Sequence, residues 1–406
     1  MGYDAPEEYI QRYADLLINF ALGGGEGIKR GDVVRVVAPE SAKPLYAECS
    51  RAVWRAGGNV LGDYHLDDDS RLNLTRDFYE IAGPEQYGYF PEAYNRGLMD
   101  QIDHLVYVRC VADPHALRDI EPAKLMARQR AFGPMVEWQT AKENAGRFTW
   151  TVALYGTEAM AAEAGLSLEA YWQEIIKGCF LDQADPKATW RTVIERMQTY
   201  IAGLNALPID RIHVRGADVD LWVTLGEKRR WIGGGGRNIP SFEIFTSPDW
   251  RGTEGWIRFS EPLYIYGSLI TGIELSFADG LVTEAKAAEN EELLLEMLAT
   301  ENANRVGEFS LTDSRLSPIT HFMADTLFDE NVGGPFGNTH VAVGKSLTHC
   351  YDGDPDGLSA EDWERLGFNE SVVHTDIVST TDREVTAVMR DGSERTIYAG
   401  GRFQLD

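Results

Sequence analysis

His374-Thr375-Asp376 stands between Val372-Val373 and Ile377-Val378. The apolar flanks read as a β-strand, in which alternate side chains share a face. An imidazole and a carboxylate then point the same way from a rigid element, a nitrogen and an oxygen donor suited to a divalent cation. Glu243 sits between Phe242 and Ile244; on its own it reads equally well as a solvent-facing acid on an edge strand. Glu308 follows Gly307 after a helical stretch and is, alone, an ordinary loop acid. Glu330 follows Leu327-Phe328-Asp329, after an apolar helix expected to contain Phe322 and Met323. Acids in that place oppose the helix dipole unless a cation compensates. His340 precedes Val341-Ala342-Val343, where a lone histidine is more often a satisfied core residue. Glu254, in Thr253-Glu254-Gly255, adds a carboxylate in a turn.

Taken together these residues weigh more. Four of the eight histidines fall between residues 321 and 374. Desolvated carboxylates need partners, since an unpaired buried charge is costly. Lys and Arg are sparse around these motifs, which leaves metal as the natural partner. Four carboxylates with two imidazoles suit two divalent ions that share a bridging ligand.

Such residues need a scaffold. The chain has 406 residues, 44% hydrophobic and 25% charged, enough for two or three domains with sizeable cores. Its formal net charge of −26 argues against nucleic acid and anionic membrane surfaces as partners. The four cysteines are scattered without a CxxC pair, which disfavours a sulfur-ligated zinc site. The opening MGYDAPEEYI lacks the basic start and apolar core of a signal peptide, and no apolar run reaches the length of a membrane span. A cytoplasmic location is expected.

Tyr9, Ile10, Tyr13, Leu16, Leu17 and Phe20 recur at helical spacing and end at Gly23-Gly24-Gly25. A strand is expected at 33–38, a helix at 41–56, and strands at 59–66 and 104–111. That order is βαβ and favours a parallel sheet. Residues from about 150 to 205 read as mostly helical. Beyond them short strands dominate, with a helix near 290–300 and a closing hairpin turned at Asp391-Gly392. The expected fold class is therefore α/β: an N-terminal βαβ domain with a parallel sheet and a helical insertion, residues 1–200. A strand-rich α+β metal-binding catalytic domain, residues 201–406, follows.

The ordered set NIPSFEIFTSP…TEG, GEFSL…SPI, LFDEN…THVAVG and HTDIV…DG…GRF resembles the aminopeptidase T and PepS family of thermophilic metallopeptidases. The opening YADLLINFALGGGEGIKRGDVVRVVAP is similar too, so the resemblance spans nearly the whole chain. It implies a dinuclear aminopeptidase that forms dimers and removes N-terminal amino acids with zinc, cobalt or another divalent ion such as manganese. Position by position, the implied ligands are Glu243, Glu308, Glu330, His340, His374 and Asp376, with Glu308 as the bridge. Two departures stand out. The loop between Asn331 and His340 is longer than the family's. Leu347 occupies the position of the family's catalytic tyrosine, seven residues after His340, and Tyr351 is the expected substitute for stabilising the oxyanion. Glu254 is the expected proton carrier. The competing readings are a mononuclear Fe(II) ring-cleaving dioxygenase on the same scaffold, and a catalytically silent metal-binding homologue.

Overall fold

The computed structural model describes residues 3–405 apart from 69, 70, 236, 266 and 356. The chain forms two compact units. One runs to Trp190 and includes Gly235–Ser241; the other comprises Arg191–Gly234 and the chain from Phe242 onward.

The first unit is built on a four-stranded, all-parallel sheet in the order Asn59–His65, Val33–Pro39, His104–Arg109, Thr149–Leu154. Val34, Val36, Val106 and Ala153 are fully buried in it. The helix Lys43–Ala56 supplies the crossover and packs Leu45, Cys49, Ala52 and Val53 inward, at helical spacing. It ends at Gly57, whose φ of 84° is the left-handed turn that glycine adopts without strain. The opening helix Glu7–Leu16 continues through a wider turn, Leu17–Ala21, and of the expected stripe buries Ile10, Tyr13, Leu16, Leu17 and Phe20, with Tyr9 only half-buried. Thr149–Leu154 corrects the sequence reading, which placed it at the start of a helical stretch. Its Trp, Thr and Val favour an extended chain, and the helices Glu158–Glu163, Leu168–Gly178 and Pro186–Asn205 begin only after it.

The second unit holds an eight-stranded and a five-stranded antiparallel sheet. The larger includes the hairpin Arg383–Met389 with Glu394–Ala399, turned at Asp391-Gly392. The smaller has the order His374–Ser379, Asn338–Gly344, Val306–Thr312, Glu243–Thr246, Ile232–Gly233. One of its faces is apolar. Ile244, Phe309, Leu311, Val341, Val343 and Ile377 are at most 1% exposed, each burial contributing about 1.5–3 kcal/mol before chain entropy is counted. The other face carries the polar residues. An apolar helix through Phe322 and Met323 does not form: the helix here is Thr326–Asp329, capped by the Asp325 side chain. The Asp329 carboxylate accepts hydrogen bonds from the Met323 and Asp325 amides, which holds that stretch in a turn.

Candidate metal centre

Cross-strand partners in an antiparallel sheet share a face. Gly344 pairs with His374 and Ala342 with Asp376 on one side, and Ala342 with Glu308 and His340 with Ser310 on the other. Ser310 then pairs with Phe245 and Thr312 with Glu243. With period two along each strand, Glu243, Glu308, His340, His374 and Asp376 all project from one face. The residues between them are small, Ser310, Ala342 and Gly344, so the long side chains have room to converge.

Glu308 reaches this face only because the ladder is irregular. Val306 pairs with Val343 and Glu308 with Ala342, so two steps on one strand oppose a single step on the other. Gly307 is the extra residue of a bulge. In a regular ladder Glu308 would share the core-facing parity of Val306. A Cβ on Gly307 would lie 2.3 Å from the Lys345 carbonyl oxygen, so glycine is what lets the backbones approach. Glu308 is thus a buried residue of a central strand, not the loop acid its local sequence suggests.

The donors form two groups. Glu243, Glu308 and His340 make one, and Glu308, His374 and Asp376 the other; within each, the donor atoms lie within 4.8 Å of one another. Glu308 belongs to both. His340 Nε2 is 3.3 Å from Glu243 Oε2 and 3.3 Å from Glu308 Oε1. His374 Nε2 is 3.7 Å from Glu308 Oε2 and 3.6 Å from Asp376 Oδ1. Both imidazoles are held from behind. His374 Nδ1 donates to the Lys345 carbonyl at 2.7 Å; since a carbonyl only accepts, the proton is on Nδ1 and Nε2 is left to ligate. His340 Nδ1 faces Asn338 Oδ1 at 3.4 Å. Ser310 Oγ donates to Glu243 Oε2 at 3.3 Å.

Glu330 caps the Thr326–Asp329 helix and is buried beside the two groups without belonging to either. Asn331 ties it in. Its Nδ2 donates to Glu330 Oε1 at 3.4 Å, and its Oδ1 accepts from the Phe242 amide at 2.5 Å. Sequence reasoning missed Ser310, Asn338 and Asn331 as supports. The first two lie two residues from Glu308 and His340, a period-two signal that was readable. The role of Asn331 depends on tertiary contact and leaves no local signature.

The electrostatics call for cations. Among the described residues, the ion pairs of Glu243, Glu308 and Asp376 are with His340 and His374, not with lysine or arginine. Burial pushes the Glu308 carboxyl up, to about 7; the His340 hydrogen bond opposes this, and Glu243 and Asp376 add to it. Burial, then the charges of Glu243 and Asp376, holds Glu330 well above the usual carboxylate range. Burial disfavours a charged His340, but its hydrogen bonds to Glu243 and Glu308 outweigh this and raise it. Neighbouring carboxylates likewise raise His374 against the effect of burial. Four acids sharing so little positive charge is unfavourable, and two divalent cations would balance them. The donor set fits such ions: hard oxygens with two imidazole nitrogens, in two groups joined by one carboxylate.

Two expected residues are not brought to this face. Glu254 opens the strand Glu254–Arg258 of the eight-stranded sheet, opposite Trp222, with its side chain in solvent. That strand belongs to a different sheet from the one that carries the donors. Tyr351 is buried with its ring edge-on to Trp363 and Phe368, and its hydroxyl accepts from Lys228 Nζ at 3.3 Å. The Leu347 amide donates to Ser247 Oγ at 2.7 Å.

The family described as thermophilic metalloprotease (M29) matches residues 6–403. Aminopeptidase T of Thermus aquaticus is 31% identical, over 99% of this chain and 100% of that protein. Aminopeptidase T of Thermus thermophilus is 29% identical, over 98% and 99%. The solved structure of wild-type AmpT from Thermus thermophilus superposes with a TM-score of 0.81 at 26% identity, covering 98% of this chain and 100% of that one. A 2,5-dihydroxypyridine dioxygenase from Pseudomonas putida KT2440 gives a TM-score of 0.52 at 12% identity, over 98% and 96%. That likeness is one of fold alone.

Proposed function

Because the chain belongs to the thermophilic metalloprotease (M29) family and is a metal-dependent aminopeptidase, we propose that it holds two divalent ions on the polar face of the five-stranded sheet. Glu308 would be shared by both ions, with Glu243 and His340 holding one and His374 and Asp376 the other. The observation that carries this reading is the membership of Glu308 in both donor groups. Glu330 is the sixth ligand, supported by its burial against the same charges. Zinc, cobalt and manganese all suit such donors. A homodimer in the cytoplasm completes the proposal.

When bound, such ions would supply a water of lowered pKa and polarise a peptide carbonyl. The protein's own residues prepare for that chemistry. In the metal-free state burial favours the protonated forms of Glu308 and Glu330, so loading releases protons from the cluster. Lys345 and Asn338 fix the two imidazoles, and Ser310 fixes Glu243. The chain's net charge of −26 favours a substrate that carries a free ammonium group.

The test is to strip divalent metal and follow release of amino acids from aminoacyl reporters. Activity should vanish and return with Zn, Co or Mn, at two ions per chain by elemental analysis. Activity that survives in a chelated, metal-free sample sinks the proposal, as does one iron per chain with oxygen uptake.

A further inference from the structure

The polar face is not polar throughout. Phe245 lies two residues from Glu243 on the same strand and pairs with Ser310; on the edge strand, Ile232 pairs with Phe245. Both side chains therefore project from the face that carries Glu243, Glu308 and His340. Burial agrees: the alternate residues Trp231, Ile244 and Phe309 are packed in the core, whereas Phe245 and Ile232 are only partly buried. Of the other apolar residues facing this way, Ala342 and Val378 are closed off from solvent. Phe245 and Ile232 thus form an accessible apolar patch directly beside the donors. Its distance is that of one side chain, because Cβ atoms directly opposite are about 5 Å apart and those two residues apart on a strand about 7 Å.

We propose that Phe245 and Ile232 form the wall against which the side chain of the substrate's N-terminal residue packs, and that they favour peptides beginning with a large apolar residue. This rests on the aminopeptidase reading of the site. A peptide whose amine and first carbonyl both reach the donors has its first Cα over the Glu308–Ser310 stretch. From there one direction across the sheet meets His374 and Asp376, at the charged rim. The other meets Phe245 and then Ile232. Leucine or phenylalanine removes apolar surface from water on that side. Alanine is too short to reach it, and lysine or an acidic residue sets its charge against an apolar wall.

The experiment uses the zinc-loaded protein and measures kcat/KM on leucine, phenylalanine, alanine and lysine amides. Affinity for free leucine and free alanine is measured by calorimetry on the same samples. Wild type should prefer leucine and phenylalanine over alanine by about tenfold or more. Phe245→Ala should reduce the leucine-to-alanine ratio by about tenfold in both readouts, and Ile232→Ala by a smaller factor. A ratio that Phe245→Ala leaves unchanged overturns the proposal, as does a wild type that prefers lysine. Should Phe245→Ala not fold, Phe245→Leu and Ile232→Ala read the same ratio. If none of the amides is cleaved, the aminopeptidase reading fails, while the calorimetric ratio still decides whether the wall exists.

Discussion

Glu308 is the residue on which both donor groups depend. Substituting it should remove both ions, whereas a change at Glu243 or Asp376 should remove one. Glu308→Gln is expected to cut kcat/KM by at least about a hundredfold, with elemental analysis showing neither metal retained; a variant that keeps two ions would take the bridge away from Glu308. Its titration gives a second expectation. The carboxyl has an ordinary value of 4.5 and is raised to about 7 in the folded, metal-free protein. A raised group stabilises the fold below its unfolded value, and that contribution is lost as pH rises through the folded one. The stripped protein therefore loses this stability between about pH 4.5 and 7. Metal binding has the opposite sign because it needs the ionised carboxylate. At fixed free zinc, the rise in melting temperature over the stripped protein should be larger at about pH 7.5 than at about pH 5.5. A gain that is flat or falls with pH would argue against Glu308 as a ligand.

At the scale of elements, the five-stranded sheet separates apolar from donor residues by strand parity, and a single bulge corrects that parity for Glu308. Gly307→Ala forces a Cβ to within 2.3 Å of the Lys345 carbonyl oxygen and 2.7 Å of the Gly344 oxygen. The expected cost is about 1–3 kcal/mol of stability, read by urea unfolding, with reduced metal content as Glu308 turns away. Unchanged stability and full metal content would show that the bulge does not need glycine. The same sheet shows what a sequence can and cannot disclose. His374 and Asp376 were legible because a strand's alternation is local and their apolar flanks mark it. Glu243 was half legible, since edge and interior strands look alike from one strand's sequence. Glu308 was recognisable only by resemblance, because a bulge is defined by the partner strand. Glu254 and Tyr351 lie elsewhere for the same reason: closeness along the chain says nothing about which sheet or which aromatic cluster receives a side chain. Thr149–Leu154 was hidden by the helices that follow it.

At the scale of the molecule, the net charge of −26 gives a field that attracts cationic peptides over distances longer than any contact. Salt screens that field, with a Debye length of about 10 Å at 0.1 M. Raising ionic strength should therefore lower kcat/KM for peptides with several positive charges more than for those with only the free amine. Equal salt slopes for the two classes would show that the field plays no part in capture. A different consequence follows from where the donors lie in the chain. Apart from Ile232–Gly233 and Glu243–Thr246, strand neighbours in the site sheet are far apart in sequence, and His374–Ser379 is the last of its strands to be synthesised. Contacts of that range form late in folding, after loops of many residues have closed. A nascent chain that has not yet emitted His374 and Asp376 lacks two of the three donors of one group, and its sheet is missing an edge. A site that needs both donor groups is complete only once that register has formed, so metal loading would close maturation rather than open it.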